Sequence, residues 1–63
     1  MRESTYKEFS ECFPEHDKEK AKISDTQKFY ISSSELNKQE NKKLRLVGFK
    51  IENRIPKFFY VED

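Results

Sequence analysis

Cys12 and His16 are the residues of this chain whose types and spacing come nearest to a reactive pair. A thiol and an imidazole four positions apart could form a Cys–His nucleophile or supply half of a metal site. Pro14 lies between them, and it prevents the two side chains from sharing one face of a helix. Because no third ligand and no Asn or Gln orienter is evident, we interpret His16 as an exposed titratable residue and Cys12 as a partly buried one.

The remaining sequence contains no catalytic, metal or nucleotide motif, and it has one Gly, one His and one Cys in 63 residues. A chain this short rarely encloses the pocket of a few hundred Å³ that a ligand needs. We therefore predict a non-enzymatic protein with no catalytic residue, no bound metal and no cofactor.

Size and composition predict one small domain, residues 1–63, with a thin core, because 40% of the residues are charged and 33% are hydrophobic. The single cysteine excludes an internal disulfide. No apolar run approaches the roughly 18 residues of a membrane-spanning helix, and the first residues do not resemble a signal peptide. These features predict a cytoplasmic protein without a membrane partner.

The stretch from residue 44 to 61 carries most of the large apolar side chains, and its sequence is LRLVGFKIENRIPKFFYV. Two apolar runs flank Asn53 and Arg54, and Asn tolerates positive φ better than most residues. We therefore predict a β-hairpin with a two-residue turn at Asn53-Arg54. Since Pro56 cannot donate to a β-ladder, the last strand should be an edge, at least at its start.

This turn predicts a register in which both faces of the hairpin are partly apolar. One face pairs Leu46 with Val61, Gly48 with Phe59 and Lys50 with Lys57. The other face pairs Val47 with Tyr60, Phe49 with Phe58 and Ile51 with Pro56. One face can pack on the rest of the chain, which leaves the other for a partner. Alternatively, a loop covers the second face, or the register shifts by one residue and exchanges the two faces.

The preceding residues predict the helical part of the fold. Thr5 and Glu8 fit a capping box for a short helix over residues 4–13, with an aromatic stripe that packs on the hairpin. Pro14 should end this helix, and residues 14–20 form either a solvated loop or a further polar helical turn.

The middle of the chain predicts weaker strands and a connection. Alternating apolar residues indicate strands over residues 20–24 and 28–32, joined by a turn. Residues 32–43 form a polar connection with one or two helical turns, supported by a Ser32–Glu35 cap and by i+3 and i+4 spacings among Glu35, Lys38 and Lys42. The predicted fold is α+β: a short N-terminal helix packed on a small antiparallel sheet of three or four strands with a C-terminal β-hairpin.

The leading functional prediction is a small protein-binding module or inhibitor that acts through the exposed face or edge of the C-terminal hairpin. The partner is an unidentified protein target or a second copy of the chain. The small size and the composition suit a phage or mobile-element protein directed at a host factor. This prediction rests on that association alone and on no motif. The predicted contact residues are Leu44, Leu46, Lys50, Lys57, Phe59 and Val61.

The alternative prediction is nucleic-acid binding by the same basic, aromatic hairpin. Basic side chains would contact phosphates and an aromatic ring would stack on a base. A net charge of +1 is far from the basic balance usual for such domains. The residues concerned are Arg45, Lys50, Arg54, Lys57 and Phe59.

Overall fold

The computed structural model describes residues 1–37, 39 and 43–62. Over these residues it shows two short helices and a four-stranded antiparallel sheet, which confirms the predicted α+β fold class. The elements are β1 (Arg2–Ser4), α1 (Tyr6–Cys12), α2 (Glu15–Ala21), β2 (Phe29–Ser32), β3 (Leu44–Glu52) and β4 (Ile55–Glu62). The strands lie in the order β1-β2-β4-β3, so β3 is the long edge strand of the sheet.

Thr5 caps α1 as predicted, because its Oγ1 accepts a hydrogen bond of 3.2 Å from the Glu8 backbone N–H. The other half of the predicted capping box is not formed, because the Glu8 carboxylate is directed at β1, where it accepts hydrogen bonds from Arg2 and Ser4. The helix starts later than predicted because Ser4 belongs to β1. A strand of three residues is too short to produce a recognisable alternation, so the sequence did not predict it.

The polar segment after Pro14 forms α2, which confirms the helical alternative. The strand predicted over residues 20–24 is wrong. Lys22 follows the helix in the left-handed conformation (φ 56°). The N–H groups of Lys22 and Ile23 then donate to two carbonyls of the last helical turn, at 3.2 Å each, in a Schellman cap. The apolar spacing of Ala21 and Ile23 therefore belongs to a helix end, where Ile23 packs against the core.

The strand predicted over residues 28–32 is confirmed as β2, which pairs with β1 and β4. Ser32 ends this strand, and its hydroxyl donates to the Ser34 carbonyl at 2.7 Å. No helical turn occurs in residues 33–37, so the predicted Ser32–Glu35 cap is not formed. The predicted i+3 and i+4 pairs involve Lys38 and Lys42, which lie outside the described residues.

The hairpin turn is confirmed, since Asn53 and Arg54 have φ values of 52° and 66°. The predicted pairing also holds from Glu52↔Ile55 to Gly48↔Phe59. A β-bulge between Leu46 and Gly48 then shifts the register, so Leu46 lies opposite Tyr60 and Arg45 opposite Val61. The predicted pairs of Leu46 with Val61 and of Val47 with Tyr60 are therefore wrong, because the extra residue of the bulge could not be read from the alternation.

Pro56 marks an edge only at the start of β4. There the strand has β3 on one side, at the Ile51↔Pro56 pair, whereas β2 pairs with residues 58–61. Beyond its first three residues β4 is a central strand, flanked by β2 and β3. The missing N–H of the proline thus falls beyond the end of β2.

The core lies between α1 and one face of the sheet, as the aromatic stripe of α1 predicted. The Phe9 ring centroid is 5.8 Å from that of Phe59, and the Phe13 ring is 5.1 Å from Phe59, each in an edge-on arrangement. Such ring pairs contribute about 0.5–1.5 kcal/mol beyond their buried area. The buried cluster consists of Phe9, Phe29, Ile31, Phe59 and Val61.

Candidate interaction surface

The two faces of the hairpin have opposite environments. Phe59 and Val61 point at the helices and have no exposed surface. Successive side chains of a strand point to opposite faces, so Phe58 and Tyr60 lie on the face away from the helices. The predicted contact face contained Phe59 and Val61, and this assignment needs correction because both residues form the core of the chain itself.

The face away from the helices carries an exposed apolar surface, which we call the outer hairpin patch and define as Leu46, Phe49, Ile51 and Phe58. Leu46, Phe49 and Ile51 are 45%, 49% and 63% exposed. Phe58 is half-buried, and its ring centroid lies 4.9 Å from that of Phe49. The pairs Phe49↔Phe58 and Leu46↔Tyr60 place these side chains on one side of the sheet. The patch therefore follows the edge strand β3.

A loop covers the neighbouring part of this face. The Tyr60 hydroxyl accepts a hydrogen bond of 2.9 Å from the Leu36 backbone N–H, and Tyr60 is only 4% exposed. The alternative that a loop lies over the second face is thus correct for the centre of the sheet. Toward β3 the patch remains open.

The other predicted contact residues are distributed over both faces. Leu44 lies opposite Glu62 at the far end of β3 and is half-buried. Lys50 and Lys57 face each other across the hairpin on the helix side of the sheet. The Lys57 Nζ is 3.4 Å from a Glu52 carboxylate oxygen.

The residues of the predicted nucleic-acid site are not gathered around an exposed ring. Arg45 donates a hydrogen bond to the Ala21 carbonyl at the end of α2. Arg54 is exposed in the turn at the opposite end of β3. Phe59 has no exposed surface, so the predicted stacking of this ring on a base is incompatible with the fold.

Cys12 and His16 lie on separate helices. Cys12 ends α1 and packs against the core, whereas His16 is exposed on α2. Within the described part of the chain, no group of three or more His, Cys, Asp or Glu side chains is arranged to hold a metal ion. Neither α1 nor α2 is long and apolar enough to cross a membrane.

The chain matches no protein-family model, no curated protein and no solved structure. The outer hairpin patch is thus the feature on which a functional proposal can be based. Sequence reasoning did not include Phe49, Ile51 and Phe58 among the contact residues. Gly48 could have indicated them. A glycine opposite Phe59 leaves room for a ring from another element, so it marks that face of the hairpin as the core side and the opposite face as the exposed one.

Proposed function

We propose that this chain is a small, non-enzymatic protein-binding module that acts through the outer hairpin patch and the open edge of β3. The observation that carries the proposal is the exposure of Leu46, Phe49 and Ile51 beside a core that is already closed. Contiguous apolar side chains on a small protein usually mark an interaction site. The edge position of β3 supports the same conclusion, since an edge strand presents unpaired backbone groups to a partner.

The biological role proposed for this module is inhibition by occlusion of a surface on a larger protein, in the cytoplasm. This part of the proposal rests on size and composition and on the absence of a recognisable chemical motif in the sequence. The same features suit a protein of phage or mobile-element origin that is directed at a host factor. Nucleic-acid binding is not favoured, because Arg45 contacts α2 and Phe59 lies in the core.

The hairpin provides a matched pair of variants to test the proposal. Ile51 and Ile55 are 63% and 56% exposed, lie on adjacent strands near the same turn, and point to opposite faces of the sheet. Ile51→Thr removes apolar surface from the outer hairpin patch, and Ile55→Thr removes a similar amount from the other face. Threonine suits a strand, so both variants should remain folded.

The measurement is quantitative recovery of proteins from cell lysate on each immobilised variant at moderate salt, with the fold of each checked by NMR. We expect a partner that is retained by the wild type and by Ile55→Thr and is lost with Ile51→Thr. The proposal fails if the wild type is a monodisperse monomer that retains no partner. It also fails if the two variants reduce retention equally, because the patch would then have no specific role.

A further inference from the structure

We infer that the open edge of β3 selects an extended segment of another protein in which an acidic residue, opposite Lys50, lies between two apolar residues, opposite Phe49 and Ile51. This inference rests on the proposed function and specifies the chemistry of the partner.

The turn geometry determines which backbone groups of β3 are open. With positive φ at both Asn53 and Arg54, the turn is of type I′, and it closes with the Glu52↔Ile55 pair hydrogen-bonded. Hydrogen-bonded and non-hydrogen-bonded pairs alternate along an antiparallel ladder. The Ile51↔Pro56 and Phe49↔Phe58 pairs are therefore of the second type, which agrees with the missing N–H of Pro56. The N–H and C=O groups of Phe49 and Ile51 consequently point away from β4, toward the open edge.

A strand added at this edge would form its hydrogen-bonded pairs with Phe49 and Ile51. Its side chains opposite these two residues would extend the outer hairpin patch, which favours apolar residues there. The residue between them would lie opposite Lys50, on the other face, in a non-hydrogen-bonded pair where side chains approach most closely.

Charge determines what this middle residue should be. Lys50 already lies directly opposite Lys57, and like charges in that position destabilise a sheet. Lys57 has the Glu52 carboxylate at 3.4 Å. For Lys50, no carboxylate of the described residues lies within salt-bridge distance. A carboxylate from a partner strand would supply the missing countercharge.

A second copy of the chain fits this edge poorly. It would present its own β3, whose charged residues are Arg45, Lys50 and Glu52. Its one acidic residue, Glu52, is already beside Lys57. If that Glu52 lay opposite Lys50 in an antiparallel pair, Phe49 would face the turn residue Asn53, which is polar and has φ 52°. A heterologous acidic strand meets neither obstacle, so we assign the edge to a different protein.

The test uses two synthetic peptides that share alternating valines and carry either glutamate or lysine at the positions between them. Each is titrated into the ¹⁵N-labelled full chain, and amide shifts are followed by NMR at low and moderate salt. We expect the glutamate peptide to shift the amides of residues 49–51 and to bind about fivefold more tightly than the lysine peptide. The preference should reverse in Lys50→Glu and persist in Lys7→Glu, which makes the same charge change at an exposed position of α1.

Equal binding of both peptides at β3, or a preference unchanged in Lys50→Glu, would overturn the inference and leave the proposed function standing. A mass that doubles with concentration in the absence of peptide would also overturn it, because a second copy would then occupy the edge. If neither peptide shifts the β3 amides while Ile51→Thr still abolishes partner retention, the partner does not add as a strand and only the inference is lost.

Discussion

Phe13 lies so close to Gly48 that a Cβ at position 48 would be 2.8 Å from the Phe13 Cζ. The ring also contacts Phe9 and Phe59, with centroid distances of 4.8 Å and 5.1 Å. One aromatic side chain at the end of α1 therefore joins the helix to both strands of the hairpin. The absence of a side chain at Gly48 creates the space, so the position of the helix depends on this glycine.

Gly48→Ala is expected to destabilise the fold by about 1–3 kcal/mol, because the added methyl group overpacks the contact with Phe13. The measurement is the free energy of unfolding from urea denaturation. In the Phe13→Leu background the same substitution should cost less, since the smaller side chain can move away. Equal costs in both backgrounds would show that the close approach is not the cause.

Arg54→Gly is expected to stabilise the hairpin by about 1 kcal/mol. Arg54 has φ 66°, a conformation that costs an L-residue with a Cβ about 1–2 kcal/mol and that glycine adopts freely. Arg54→Ala is the control, because it removes the charge and keeps the Cβ. Thermal unfolding should separate the two variants. If Arg54→Gly and Arg54→Ala raise the unfolding temperature equally, the effect comes from loss of the guanidinium group and not from the backbone conformation.

Phe58 and Phe59 are adjacent and chemically identical, yet truncation should affect them very differently. Phe59 has no exposed surface, so Phe59→Ala should cost about 3–5 kcal/mol, enough to unfold a domain of this size. Phe58 is half-buried on the outer face, and Phe58→Ala should leave the chain folded. Circular dichroism and NMR dispersion provide the comparison. A folded Phe59→Ala variant would contradict the placement of that ring in the core.

Glu8 is expected to make the free energy of unfolding depend on pH in the acidic range. The hydrogen bonds donated by Arg2 and Ser4 hold the pKa of the Glu8 carboxyl at about 2, below its ordinary value of 4.5. Because the folded state binds this proton less readily, the stabilisation is present above pH 4.5 and is lost as the pH falls toward 2. Since the Arg2 side chain is 56% exposed, solvent screening reduces the contribution to about 1 kcal/mol.

The check is urea denaturation across this pH range. Glu8→Gln should lower stability at neutral pH and flatten its decline in acid. Glu11→Gln, which removes a carboxylate from an exposed position of the same helix, should leave the profile unchanged. A wild-type profile that is flat from pH 2 to 4.5 would contradict the depressed pKa.

Local chemistry made the hairpin turn and the cap of α1 predictable. Asn53 tolerates positive φ, and Thr5 lies three residues before Glu8, so a few neighbouring residues determine each feature. The bulge between Leu46 and Gly48 was not predictable in this way, because its extra residue leaves no mark in the apolar alternation of β3. Apart from the glycine at position 48, no residue of the hairpin itself marks which apolar face is the core. Ile51 and Val61 look equivalent until the position of the helices is known.

The two edges of the sheet differ in length, since β1 has three residues and β3 has nine. A sheet with one long edge can accept one added strand there. The short β1 edge has too few backbone groups to pair stably with another strand. Once a partner strand has paired with β3, the complex has no second long edge to which another chain could add. We therefore expect a complex of one chain with one partner segment and no fibrous polymer, a stoichiometry that analytical ultracentrifugation of the mixture can verify or refute.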